Sequence, residues 1–173
     1  DMAPYTGGVT ALCTLALLNA GVDVKDPQIQ KSLAYLRRLQ TQYTYVVSLQ
    51  TMVLCRAEPE KDQLLIGRNV EWLERNQITD GPRTGAWSYP IGNGDGSNSQ
   101  FALLALYEAD RAAEAGRIHV NIRRDVWQRA RAYWAGAQNQ NGSWGYYQPL
   151  EGSGSMTCAG IASLVISSDV IHQ

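Results

Sequence analysis

Histidine is scarce in this sequence. There are two, His119 and His172, one in a polar connection and one at the chain end, and neither shows metal-ligand spacing. Cysteine is scarce too. The three, Cys13, Cys55 and Cys158, form no Cys-x-x-Cys pair, which removes a zinc knuckle and a redox motif. Each lies in an apolar helical run, so the three thiols read as buried and free, with one disulfide plus one free thiol as the alternative. An excess of charge is also missing. The formal net charge is −1, which gives no electrostatic footprint for nucleic acid. The local cluster Arg123, Arg124, Arg129 and Arg131 reads as a solvated helix face, with an anion or partner patch as the sharper alternative. No apolar run reaches the roughly 18 residues of a membrane span. Residues 1–20 lack the charged start and cleavage pattern of a signal peptide, although Leu12–Leu18 is apolar. The first residue is Asp, as expected of a processed or excised piece, and no compartment is assigned. Finally, Gly92-x-Gly94-x-Gly96 follows no strand, so it is not a phosphate-binding loop. No cofactor is called for.

What remains is an ordinary globular composition over 173 residues, 45% apolar and 18% charged, enough for one domain with a real core over 1–173. Helical periodicity dominates. Residues 6–20 are apolar nearly all round, which suits a helix surrounded by protein, and Gly21 is placed to stop it. Asp26-Pro27 starts a second helix running to about Gln40, with Ile29, Leu33 and Leu36 on one face and Gln30, Lys31, Arg37 and Arg38 on the other. A third, apolar helix covers about 44–57 and ends at Glu58-Pro59-Glu60. A fourth, about 61–76, turns Ile66, Val70 and Leu73 inward. Residues 77–96 form a loop whose length suggests a role. A fifth helix spans 97–113, and a sixth spans 121–138 with Trp127, Ala130, Trp134 and Ala137 on one face. A second loop, 139–154, leads into a last apolar helix over 154–167. Apolar inner helices and amphipathic outer ones thus alternate over about seven helices. The runs Tyr45–Val47 and Leu164–Ile166 carry the weakest helical signal.

A short unit recurs along this pattern. Its clearest copy is Arg129–Trp144, RARAYWAGAQNQNGSW, in which a basic residue precedes an aromatic pair, then Gln138, then Gly142-x-Trp144. RNVEWLERNQ ends on Gln77 and is followed, after an insertion, by Gly85-Ala-Trp87. KSLAYLRRLQ ends on Gln40 but has lost its Gly-x-Trp. Recurrence of this kind marks a repeat protein. Gln138 lies one turn beyond Trp134, where its amide can reach backbone groups left open at a helix end. Gly142 permits the tight turn, and Trp144 can pack above.

These residues resemble the QW repeat of squalene and hopene cyclases, shared more loosely by protein prenyltransferase β subunits. GDGSNSQFALLALYEA and GSMTCAGIASL are similar to further repeats of that family. The resemblance covers nearly the whole chain. It implies an all-α fold, an α/α toroid of inner helices ringed by outer ones, here partial and read as a piece of a longer protein. It also implies that Gln40, Gln77, Gln138, Gly142 and Trp144 are structural ties. An unpaired terminal inner helix would expose apolar surface, which implies a partner, a missing segment or self-association.

The chemistry of that family is harder to place. Its cyclases protonate an alkene with an Asp-rich DxDD motif at the start of an inner helix. Aligned there, DGSNS keeps Asp95 but has Ser97 and Asn98 for the acidic pair, and these supply no strong acid. Asp95, Ser97 or Asn98 reads as a helix cap instead. The zinc site of the prenyltransferases would need an Asp two residues before Cys158, where Met156 stands. The aromatic residues of the loops are the remaining signal. Trp87, Tyr89, Trp144, Tyr146 and Tyr147, with Asp95, Asn98 and Cys158 at the starts of the inner helices and Glu151 nearby, would gather at one end of a toroid. There they would either fill the core or line a mouth for an apolar ligand or a peptide. The sequence therefore points first to a non-catalytic binding or assembly domain with an apolar ligand or protein partner. Two readings stand behind it. One is a terpenoid cyclase-like or prenyl-transferring enzyme whose acid lies in a missing segment. The other is a structural module of a larger envelope or secreted protein.

Overall fold

A computed structural model of the chain describes residues 5–90, 92–147 and 151–172. The ends of the chain and residues 148–150 of the second expected loop lie outside the described residues, as does Ile91 of the first. Seven helices form among the described residues: α1 (Gly8–Asn19), α2 (Pro27–Arg38), α3 (Thr44–Ala57), α4 (Pro59–Arg75), α5 (Gly96–Glu114), α6 (Arg124–Gly136) and α7 (Gly154–His172). The all-α expectation holds, and both β-branched runs are helical.

Local chemistry sets the helix ends. Asp26 caps α2, its carboxylate accepting from the N–H of Gln28 at 2.8 Å and of Ile29 at 3.4 Å, with Pro27 at the first position. Gly21 closes α1 at φ 89°, with its N–H to the Leu18 carbonyl and that of Val22 to Leu17. This is the paired bonding of a left-handed helix stop. Several boundaries differ from the sequence reading: α6 is shorter at both ends than the expected 121–138, and the α3–α4 junction is tighter. Glu58-Pro59 does end α3, but Pro59 also opens α4 at once. A proline lacks only the N–H that is unused in a first turn, so a single residue connects the two helices. The last helix runs five residues beyond its expected end, because Ser168 to His172 hold no glycine or proline to stop it.

Packing follows the alternation. The apolar helices lie side by side, α1 on α3, α3 on α5 and α5 on α7. The amphipathic helices cover them, with α2 on α1, α4 against α3 and α5, and α6 on α7. The centre is α3, buried continuously from Val46 to Cys55. Polar ties join the outer helices. Arg37 of α2 grips Asp62 of α4 with two hydrogen bonds of 2.8 Å and reaches Glu58 at 2.7 Å. Arg123 pairs with Glu74.

The two end helices correct two expectations. α1 is not surrounded by protein: Val9, Leu12 and Leu17 are exposed, because no helix covers its far side. On α7, Ile161 and Val165 are exposed for the same reason. Cys13 and Cys158 share these uncovered faces. The three thiols are therefore free, but only Cys55 is buried. In addition, α7 is by length and composition apolar enough to cross a membrane, with a mean hydropathy of 1.4 over 18 residues. The sequence shows no unbroken apolar run there because serines and glycines interrupt it without adding charge.

Candidate functional site

The two long connections, 76–95 between α4 and α5 and 137–153 between α6 and α7, are closed by the same bonds. In the first, the Trp87 indole N–H donates to the Leu73 carbonyl at 2.7 Å. The Trp87 amide donates to the Ser99 hydroxyl, which donates to the Asp95 carbonyl. In the second, the Trp144 indole donates to the Trp134 carbonyl at 2.8 Å. The Trp144 amide donates to the Thr157 hydroxyl, which donates to the Ser153 carbonyl. Leu73 and Trp134 each stand four residues before a glutamine of the recurring unit. Ser99 and Thr157 each stand four residues after a helix cap. Gly85 and Gly142, each two residues before a tryptophan, have φ of 95° and 83°, a conformation that favours glycine.

The glutamines differ. Gln77 is buried, donates to the carbonyls of Gly85 at 3.2 Å and Val126 at 2.9 Å, and accepts from Arg129 at 2.9 Å. It thus ties its loop to α6. Gln138 is exposed and donates to the Gly142 carbonyl at 3.0 Å. Gln40 has no hydrogen bond among the described residues. A tie there needs a loop to hold, and the α2–α3 connection, 39–43, is too short to supply one.

The loop aromatics divide into two groups. Trp87 and Trp144 are enclosed, at 0% and 3% exposure. Tyr146 and Tyr147 are exposed and stack edge-on, 4.8 Å between ring centres. Tyr89 is half-buried in a triangle with Tyr5 and Tyr43, with ring centres 5.7 to 6.2 Å apart, so the three rings fill their own space. Burial, then the neighbouring Tyr5, Tyr146 and Asp95, push the Tyr89 hydroxyl pKa above its usual value. Asp95 is the N-cap of α5. One carboxylate oxygen accepts from the Asn98 amide N–H and the other from its side chain, both at 2.7 Å. Both oxygens are therefore engaged in capping. The Asn98 Oδ1 is buried without a partner among the described residues. Cys158 is exposed on α7, and Glu151, seven residues earlier in the chain, is exposed too.

A cavity of some size lies elsewhere. About 630 Å³ opens beside the short α2–α3 connection, lined by Thr6, Leu39, Gln40, Thr41, Gln42, Tyr43, Val47, Gln50, Arg68, Asn69 and Trp72. A second cavity, of about 340 Å³, shares Gln42 and Trp72 and continues past Asn76 to Ser88, Tyr89 and Pro90. Trp72 therefore stands between two lobes of one groove. Of the expected mouth residues, Tyr89 alone touches it. Its floor is polar and ordered. Gln50 is buried and donates to the carbonyls of Leu36 at 2.6 Å and Leu39 at 3.3 Å, which serves the open end of α2. Asn69 donates to the Gln50 oxygen at 2.9 Å, while its own Oδ1 has no partner among the described residues. Among the described residues, Arg68 is the one charged residue lining the larger lobe, and it has no ion pair there. The sequence motifs do not point to Gln50, and Arg68 and Asn69 enter them only as the first two residues of RNVEWLERNQ. The signal for them was there all the same, in the missing Gly-x-Trp after Gln40.

Compared with protein-family models, with curated proteins and with solved structures, the chain matches none of them.

Proposed function

We propose that this chain is a non-catalytic helical repeat domain that works by binding or assembly, built as part of an α/α toroid. The observation that carries the reading is the pair of uncovered apolar faces at the two ends of the inner row. Val9, Leu12, Cys13 and Leu17 fall on one side of α1 at helical spacing, and Cys158, Ile161 and Val165 on one side of α7. Contiguous apolar surface of this kind marks a contact site. The recurring hydrogen bonds around Trp87 and Trp144 support the repeat element of the proposal. The engagement of both Asp95 oxygens by Asn98 favours a capping role over an acid that protonates a substrate.

Sedimentation velocity over rising concentration tests the proposal. The chain should self-associate, and a double change Leu12→Lys with Ile161→Lys should leave a monomer of unchanged helix content. A wild-type chain that stays monomeric at every concentration and gains nothing over the double variant would remove the assembly reading. The exposed thiols report the geometry. Head-to-tail contact between α1 and α7 of successive copies should yield Cys13–Cys158 cross-links, whereas face-to-face pairing would link like with like.

A further inference from the structure

The groove at Trp72 occupies the place where the chain's two other outer-to-inner connections hold a tryptophan plug. Leu36, Leu73 and Trp134 each stand four residues before Gln40, Gln77 and Gln138. The latter two carbonyls accept an indole N–H, and that of Leu36 accepts the Gln50 amide instead. Val47 stands four residues after the residue that precedes α3, as Ser99 does for α5 and Thr157 for α7, and the same backbone bond marks all three. Val47 has no hydroxyl to hold a loop amide, and it lines the cavity. Arg68 precedes Gln77 by nine residues, as Arg129 precedes Gln138. In the α4–α5 connection, Arg129 and Gln77 form a clamp that holds the Gly85 carbonyl. The matching pair for the α2–α3 connection is Arg68 with Gln40. Both line the cavity, and neither has a partner among the described residues.

We infer that this groove is an empty plug seat and binds a tryptophan-bearing glycine turn, Gly-x-Trp, presented by another polypeptide. Gln40 would donate to a carbonyl of the turn, as Gln77 does to Gly85. The indole ring would lie on Val47 beside Trp72. Its N–H would meet the Asn69 Oδ1, an acceptor with no partner among the described residues, since Gln50 has already taken the helix-end carbonyl. A volume of about 630 Å³ suits a short peptide turn. No carboxylate lines the larger lobe, so nothing there repels the carbonyl oxygens of a bound backbone. The inference concerns a different surface from the α1 and α7 faces and stands or falls apart from them.

The test uses the whole chain and a probe copied from it, the capped peptide of residues 139–147, NQNGSWGYY. Calorimetry should show saturable one-site binding. The Trp144→Ala version of the peptide should bind about tenfold more weakly or worse. In nitrogen–proton spectra of the protein, the Trp72 indole and the amides of residues 39–43 should shift. Gln40→Ala with Arg68→Ala, both exposed positions, should weaken binding while leaving the melting temperature in place. Absence of saturation up to about 1 mM by folded protein would overturn the inference. So would equal binding of the Ala peptide, shifts confined to another face, or a saccharide panel that saturates the groove where the peptide does not.

Discussion

Replacing Gly160 by alanine isolates one contact on which the closure of the α6–α7 connection depends. Gly160 is interior to α7, where alanine is ordinarily worth about 1 kcal/mol more than glycine. Here an added Cβ would lie 2.6 Å from the Trp144 Cε2, well inside the roughly 3.5 Å at which carbons meet comfortably. The indole has nowhere to go. It is 3% exposed, its N–H is fixed on the Trp134 carbonyl, and its own backbone N–H is fixed on Thr157. Overpacking a filled core costs about 1–3 kcal/mol. The clash therefore outweighs propensity, and Gly160→Ala should destabilise by about 1 kcal/mol net, a fall of about 2–4 °C in Tm for a chain of this size. Gly67, interior to α4 with nothing within 4 Å of its would-be Cβ, is the control. Gly67→Ala should raise Tm by about the same amount. Repeating Gly160→Ala in a Trp144→Leu background should reverse its sign, because the obstacle is gone. Urea denaturation of the four proteins measures the coupling, expected near 2 kcal/mol. A Gly160→Ala that stabilises the wild type, or one that destabilises both backgrounds equally, would refute the reasoning.

Two further outcomes can be checked directly. Burial pushes the Cys55 thiol up to about 12, and this thiol is enclosed while the other two are exposed, so the native protein should titrate two thiols with a thiol reagent and the unfolded protein three. Stability should also fall in acid. The Arg37 hydrogen bond, ahead of those from Lys61 and Gln30, holds the Glu58 carboxyl below its ordinary 4.5. The unfolded chain therefore takes up that proton first, and the contribution is complete above about pH 4.5 and lost as pH falls through the depressed value. Melting curves between neutral pH and pH 3 should show this slope, and Glu58→Gln should flatten it; an unchanged slope would show that Glu58 is not its source.

The elements were legible in the sequence for reasons that differ from helix to helix. α2 was bounded by chemistry that acts locally, Asp26 and Pro27 at its start. α3 was legible because a helix buried on nearly all sides must be apolar, or polar with internal partners, and Thr51 does bond back to the Val47 carbonyl. α1 and α7 carry the same signature without being enclosed, and composition cannot distinguish a face covered by protein from one left for a partner. That is why the sequence points Cys13 and Cys158 to the interior although both are exposed.

The groove was hidden for a related reason. A motif search registers what is present, and Gln77, Gly85, Trp87, Gln138, Gly142 and Trp144 are all present. The α2–α3 connection matters through what it lacks: five residues where its counterparts have a long loop, Val47 where they have a hydroxyl, and Gln50 where Gly160 makes room for an indole. Each substitution is unremarkable alone. Together they remove a plug and keep the clamp residues that would hold one. A connection that had merely decayed would be expected to fill with apolar side chains, because an open cavity forfeits packing. This one is floored instead by a hydrogen-bonded pair, Gln50 and Asn69, that leaves an acceptor at its edge. A hydrogen-bonded polar floor with a free acceptor beside it is what a bound polypeptide turn can use, and it favours the occupied groove inferred above over simple loss.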